Sequence, residues 1–191
     1  MKNAVCIAAG LAFAACATTP NPTGNSFSPL NDLYLCRNTA IANEPPSDRS
    51  RRVFPYTPLI VIRGVALLRA PVDGCLSSAF GVRVGGAGIV HDGLDLYTGE
   101  PRAVIAAGAG RVVWISDIRG YGLTLEIAHG QGVATRYAHL SSVASELKPG
   151  SRVGAGEVIA HTGRSGNATA VHLHYEIRLD GQPQDPLLAP G

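Results

Sequence analysis

The chain is expected to fold as a mostly β domain, and three features of its 191 residues say so. Glycine (23) and proline (13) are frequent enough to divide the chain into many short segments. The segments between them are rich in β-branched residues, which suit strands better than helices. Where a period is clear, it is the two-residue alternation of a strand. The length holds one ordinary domain plus an export segment and a linker, but is short for two independent cores. Apolar residues at 46% supply a core, and charged residues at 16% are too few for disorder. With 16 Lys and Arg against 14 Asp and Glu, the net charge of +2 makes no field that would recruit nucleic acid. A target must be found by local chemistry.

Residues 1–15 read as a secretory signal: Lys2 gives the positive start, and an apolar run of about twelve residues ends in small ones. The run is too short to span a bilayer. Ala14-Ala15-Cys16 resembles the end of a bacterial lipobox, with Phe13 where Leu is usual, while Ala12-Phe13-Ala14 also satisfies the small-x-small rule for ordinary cleavage. The lipoprotein is preferred, because Cys16 stands where lipidation needs it and a tether follows. The chain is thus expected to be exported to the bacterial envelope or periplasm and anchored there through Cys16.

Residues 16–57, rich in Pro, Ser, Asn and Thr, read as a flexible tether with a short ordered arm, and the compact domain is expected over 58–190. Leu59 to Leu68 is apolar but interrupted at Arg63-Gly64, which gives one or two strands. Leu123, Leu125 and Ile127 alternate with polar residues; a turn follows at His129-Gly130-Gln131-Gly132, and Val133, Thr135, Tyr137 and His139 are expected on one face of the returning strand. Ser141 to Leu147 is the one candidate for a short helix. Lys148-Pro149-Gly150-Ser151 and Asp180-Gly181 mark further turns, the second closing a strand from His172 to Leu179. In an oxidising compartment Cys36 and Cys75 are an available disulfide pair, worth roughly 3–4 kcal/mol by loop entropy.

Chemistry concentrates in two short motifs, His91-Asp92-Gly93-Leu94-Asp95 and His172-Leu173-His174. A catalytic zinc takes imidazole nitrogens and carboxylate oxygens from three residues and keeps one position open. Gly93 permits a tight bend that lets His91 and Asp95 reach one point. In the second motif, alternation puts His172, His174, Glu176 and Arg178 on one face and Leu173, Tyr175, Ile177 and Leu179 on the other. One face is apolar for a core, and the other carries two histidines toward a cleft. His129 and His161 are expected to be structural or solvated, and Arg83 and Arg136 are open to either reading, peptide-carboxylate binding or a solvated or structural role.

At these residues the chain resembles the LytM/lysostaphin family of zinc peptidases, peptidase family M23. The resemblance covers roughly Leu68 to Pro186, and its pieces run in family order: Pro71-Val72-Asp73-Gly74, Ser78-Ala79-Phe80-Gly81-Val82-Arg83, His91 to Asp95, Tyr137-Ala138-His139-Leu140, Thr162-Gly163-Arg164-Ser165-Gly166 and His172-Leu173-His174-Tyr175-Glu176. It implies a β-sandwich-like barrel, distantly like biotinyl and lipoyl domains, with an antiparallel sheet flooring a groove. It implies one zinc ion held by His91, Asp95 and His174, with His139 and His172 as catalytic histidines, and a peptidoglycan peptide as substrate. His172 is then the base, and His139 stabilises the oxyanion or protonates the leaving amine. Two departures stand out: Val84-Gly85-Gly86-Ala87-Gly88 lies where members that cut glycine bridges often carry a tyrosine, and Ala170-Val171 replaces a frequent Gly-Pro.

Two other readings compete. Some envelope proteins of this fold have lost zinc ligands and activate cell-wall amidases, although every ligand is present here. A carrier domain is suggested by Val104 to Gly110 and Val153 to Val158, but no lysine stands at the Gly130-Gln131 turn to take a cofactor. Self-inhibition by the 17–57 arm also stays open, since an arm could cover the groove until displaced.

Overall fold

The computed structural model describes residues 32–82 and 90–188. The signal, Cys16, the first part of the tether, Arg83 and the Val84–Gly88 stretch lie outside the described residues. Among those described there are fifteen strands and no helix. In chain order they are β1 (Leu59–Ile62), β2 (Val65–Leu68), β3 (Cys75–Ser78), β4 (Gly81–Val82), β5 (Val90–His91), β6 (Leu94–Tyr97), β7 (Ala103–Ile105) and β8 (Gly110–Ile118). They continue with β9 (Gly122–Gly130), β10 (Val133–Ala138), β11 (Leu140–Val143), β12 (Arg152–Val153), β13 (Val158–Thr162), β14 (His172–Leu179) and β15 (Gln182–Gln184).

The large sheet runs β12-β8-β9-β10-β14-β6-β3, with β15 also paired to β14. A three-stranded sheet, β11-β13-β7, packs against it, and two hairpin-like pairs, β1-β2 and β4-β5, complete the set. Leu125, Ile127, Leu173, Tyr175 and Ile177 from the large sheet share one buried cluster with Val104, Leu140, Ile159 and Ala160 from the smaller one. The apolar half of each alternation thus forms a sandwich core, and the other face of the large sheet is left to floor a groove.

The Arg63-Gly64 interruption is a two-residue hairpin turn with φ of 49° and 79°, the positive values a tight turn of twisted strands requires. Arg63 holds it in place by donating to Asp180 Oδ2 at 2.8 Å and to the Gln131 carbonyl at 2.9 Å. Ser141 to Leu147 is not a helix: its first residues belong to β11, with Ser142 opposite His161 and Val143 opposite Ala160. Serines have no helical drive strong enough to resist that pairing.

The arm is better anchored than its composition suggests. Leu33, Leu35, Cys36, Ile41 and Val53 are buried in the common core. Leu35 and Ala42 make parallel bridges to Leu76 and Ser78, so the arm covers the exposed edge of β3. A disulfide joins Cys36 to Cys75, with Cα atoms 5.0 Å apart and a sequence separation of 39. The closed loop corresponds to about 4 kcal/mol of unfolded-state entropy.

Beneath the β9–β10 hairpin, His129 Nδ1 donates to the Ala109 carbonyl at 2.9 Å, and Nε2 lies 2.8 Å from Thr135 Oγ1. Thr135 Oγ1 is bonded in turn to Tyr137 Oη at 2.9 Å, and Tyr137 Oη accepts from the Ala107 amide at 2.8 Å. This chain supplies partners for polar atoms that the apolar core would otherwise leave unpaired. His129 is therefore structural.

Candidate metal centre

Three strands bring the two sequence motifs together. His174 on β14 is paired with Asp95 on β6 on one side and with Ala138 on β10 on the other. Residues opposite each other in an antiparallel pair project from the same face, so Asp95 and His174 share the groove face. His91 at the end of β5 reaches over them from the Asp92-Gly93 bend. Gly93 has no positive φ, so the reason for glycine is not the one the sequence suggested. A Cβ there would overlap the Tyr175 carbonyl, whose carbon would stand 2.9 Å away. Glycine is needed because β14 passes against it.

His91 Nε2, Asp95 Oδ1 and His174 Nδ1 converge: His91 to Asp95 is 3.0 Å, His174 to Asp95 2.9 Å and His91 to His174 3.1 Å. A tetrahedron with zinc–ligand bonds of about 2.0–2.1 Å has edges of about 3.3 Å, so the spacing and the N, N, O donor set both fit that ion. These are the residues that could hold it. His91 and His174 are buried, and Asp95 is nearly so.

Electrostatics favour a positive charge at the convergence point. Burial would raise the Asp95 pKa, but hydrogen bonds with His174 and His91 hold it far below the usual carboxylate range. Burial would lower His174, yet Asp95 and Glu176 outweigh it and push it up to about 9. Two carboxylates flank one imidazole there, and their charge favours a proton or a cation at the convergence point.

Each of the four imidazoles has one nitrogen committed to a fixed acceptor. His91 Nδ1 donates to the Ala79 carbonyl at 2.8 Å, and His174 Nε2 to Glu176 Oε1 at 3.2 Å. His139 Nδ1 donates to the Ser165 carbonyl at 2.8 Å, and His172 Nδ1 to the Ala170 carbonyl at 2.9 Å. The acceptors orient the rings and turn the opposite nitrogen of each toward the cluster or the opening. For His172 that nitrogen, Nε2, is 3.7 Å from Asp95 Oδ1. The His139 and His172 rings are 4.7 Å apart between centroids. Burial pushes the His139 pKa down to about 4, against the opposing pull of the Ser165 carbonyl.

His139 does not lie on the face of Val133, Thr135 and Tyr137, as alternation would have it. Those three point into the core. The chain leaves β10 after Ala138, and His139 takes a φ of 58°, which turns its ring into the groove. The polar face of β14 also differs from expectation: its middle is buried, His174 nearly and Glu176 fully so, while His172 and Arg178 are half-buried. Glu176 accepts from Arg178 Nη1 and lies 3.5 Å from Arg136 Nη1. Arg136 donates to Glu126 Oε2 from Nε at 3.0 Å and from Nη2 at 2.8 Å, and lies over the Trp114 and Tyr121 rings. Arg136 is thus bound within the floor of the groove, not held ready for a substrate carboxylate.

Above the cluster is an opening of about 450 Å³, bordered also by Gly120, Tyr121, Asn167 and Thr169. The described part of the arm does not border it. Tyr121 packs edge-on to His174 at 5.4 Å, and burial, then the negative charge of Glu176 and Asp92, pushes its pKa up to about 12, so it stays a hydroxyl. Sequence reasoning missed Tyr121, which stands in a turn far from either motif, and gave Glu176 no role, although H-x-H-x-E alternation already placed it beside His174. His161 sits on β13 and does not border the opening.

A family model described as peptidase family M23 matches residues 89–186. The chain is similar to the DD-carboxypeptidase/endopeptidase Mpg of Neisseria meningitidis serogroup B, at 38% identity over 51% of the chain and 22% of that protein. It is similar to the murein hydrolase activator NlpD of Escherichia coli at 32% identity over 64% of the chain and 31% of that protein. The chain therefore spans about a fifth to a third of these curated relatives. A crystal structure of a zinc-containing peptidase from Vibrio cholerae superposes with a TM-score of 0.60 at 28% identity, covering 69% of this chain and 46% of that one.

Proposed function

The chain belongs to peptidase family M23, and on that footing we propose that it is a zinc metalloendopeptidase hydrolysing peptide cross-links or stem peptides of bacterial peptidoglycan. The observation that carries this is the convergence of His91 Nε2, Asp95 Oδ1 and His174 Nδ1 within 3.1 Å of one another, with two further imidazoles facing the same opening. The export signal and Cys16 support placement in the cell envelope, anchored by lipid.

Zinc held by those three atoms would supply a Lewis acid for the scissile carbonyl and an activated water. The chain's own groups supply proton traffic. His172 Nε2, the ring nitrogen turned away from the Ala170 carbonyl and 3.7 Å from Asp95 Oδ1, takes the proton of the attacking water. Its Nδ1 bond to the Ala170 carbonyl keeps the ring oriented and stabilises the imidazolium once formed. His139 holds its one proton on the Ser165 carbonyl, so its groove nitrogen accepts before it can donate. His139, its ring 4.7 Å from that of His172, helps pass the proton to the leaving nitrogen or, once protonated, stabilises the oxyanion.

His174→Ala is expected to lose zinc and activity, and His172→Ala to keep zinc and lose turnover of purified cross-linked wall fragments. Activity retained in either variant overturns the scheme. The similarity to NlpD favours a second reading, a non-catalytic activator of amidases. Folded protein that binds no zinc, cleaves nothing and stimulates an amidase would establish that reading instead.

A further inference from the structure

Beside the candidate metal centre lies a second cavity of about 550 Å³, which shares Asp95, Thr169 and His172 with the opening over the cluster. Its far wall is not part of the sheet. It is the N-terminal arm, at Cys36, Arg37 and Thr39.

The strand register sets the scale. His172 is paired with Tyr97, and Tyr97 with Cys75, so the three form one row across β14, β6 and β3 on the groove face. At about 4.8 Å per strand, Cys75 is about 10 Å from His172. The disulfide carries the backbone a further 5.0 Å to Cys36. An extended peptide advances about 3.3 Å per residue. Allowing for the length of its own side chain, Arg37 can meet a group two or three residues from the reacting bond.

This wall is fixed. Besides the disulfide, the Cys36 amide donates to the Leu76 carbonyl at 2.9 Å and the Leu76 amide to the Tyr34 carbonyl at 2.8 Å, while Leu33 and Leu35 on the same segment are buried. The charge is equally specific. Arg37 is exposed, and among the described residues no carboxylate pairs with it. Thr39, Ser77, Tyr97 and Thr169 also line the cavity, the Thr39 and Ser77 hydroxyls donating to the Arg37 and Asp95 carbonyls, and Asp95, its one carboxylate, is engaged by the histidines. A guanidinium among hydroxyls selects a carboxylate, which it can grip with two parallel N–H bonds.

We propose that this cavity is a substrate subsite in which Arg37 binds a carboxylate of the peptide two or three residues from the cleaved bond. The arm is then part of the substrate-binding surface, not a cover over it. The proposal rests on the hydrolase reading for the identity of the reaction but not for the identity of the ligand.

The test uses full-length zinc-loaded protein and synthetic cross-linked stem-peptide dimers that differ only in whether that carboxylate is free or amidated. Wild type should favour the acid in kcat/KM by about 10- to 100-fold, the size of one charge-assisted contact. Arg37→Gln should bring that ratio near one, mainly through KM, and Arg37→Lys should keep part of it. A wild-type ratio near one, or a ratio that Arg37→Gln leaves intact, overturns the proposal. If wild type cleaves neither peptide at saturating zinc, the hydrolase reading fails by itself, and equilibrium binding of the same two peptides decides the subsite. An acid preference that disappears in Arg37→Gln sustains it, and equal affinities overturn it.

Discussion

Glu176→Gln tests how far the buried acid tunes the centre. The wild-type carboxylate is fully buried and accepts from His174 Nε2 at 3.2 Å, with Arg178 and Arg136 on its other side. Burial pushes its pKa up, but His174 and then the two guanidiniums bring it below the ordinary glutamate value, so it is ionised at neutral pH. Glutamine keeps the volume and removes the charge that makes His174 Nδ1 a strong donor to a metal. Loss of such an outer partner typically weakens a metal site about 10- to 100-fold, or about 1.4–2.7 kcal/mol. Competition against a chromophoric chelator should show zinc binding weakened by that factor, and turnover should recover at excess zinc. Thermal melting separates this from unfolding, since Arg136 keeps its bonds to Glu126 in the variant. Affinity within threefold of wild type, in protein that melts normally, would show that the His174–Glu176 contact does not tune the ligand.

Gly93→Ala should weaken zinc binding by at least about tenfold and lower stability by about 1–3 kcal/mol, because a Cβ overlapping the Tyr175 carbonyl must push β6 from β14 and with it Asp95 from His174. Unchanged chelator competition and an unchanged urea midpoint would refute that account. A pH effect comes from His129, whose pKa burial lowers from 6.5, against the opposing pull of the Ala109 carbonyl. The folded state therefore holds it neutral while the unfolded state takes a proton first, so its contribution is complete above about pH 6.5 and is lost as pH falls toward the folded value. Urea midpoints of wild type should drop between pH 7 and pH 5 more steeply than those of His129→Gln; parallel curves would contradict it.

The mostly β class and the strand from His172 to Leu179 were legible because alternation is a local property. So was the gathering of His91, Asp95 and His174 into one cluster: two short motifs with suitable donors at suitable spacing limit the possibilities, and a family resemblance over most of the domain limits them further. What escaped depends on distant segments. His139 was grouped on one face with Val133, Thr135 and Tyr137 because alternation was carried one residue past the end of β10, where a positive φ reverses the side chain. The role of Gly93 was misjudged because a glycine has two uses, backbone freedom and close approach, and only the neighbouring strand distinguishes them. Arg136 stayed open between a substrate and a structural role because Glu176 and Glu126 lie on other strands. The arm looked loose because its buried residues are spaced too irregularly to give a period.

The anchors of the four imidazoles were illegible for a further reason, and it bears on how the site can be dissected. His91, His139 and His172 are oriented by main-chain carbonyls of Ala79, Ser165 and Ala170. A carbonyl is common to every residue type, so no pattern of side chains announces it, and no substitution at those three positions removes the acceptor. The side chains there matter only through the path of the backbone. His174 is the exception, since its acceptor is a carboxylate that can be replaced. A survey of substitutions around the groove should therefore find Glu176 sensitive to chemistry, with Gln and Leu both harmful, whereas Ser165 and Ala170 should tolerate polar and apolar replacements of similar size alike and Ala79, buried in the core, small apolar ones. Ser165 departs from this only in its hydroxyl, which donates to the Leu140 carbonyl at 2.9 Å and accepts from the Leu123 amide at 2.9 Å, and so holds the loop that carries the carbonyl. Ser165→Ala should then lower turnover through the position of His139 while leaving zinc affinity where it was.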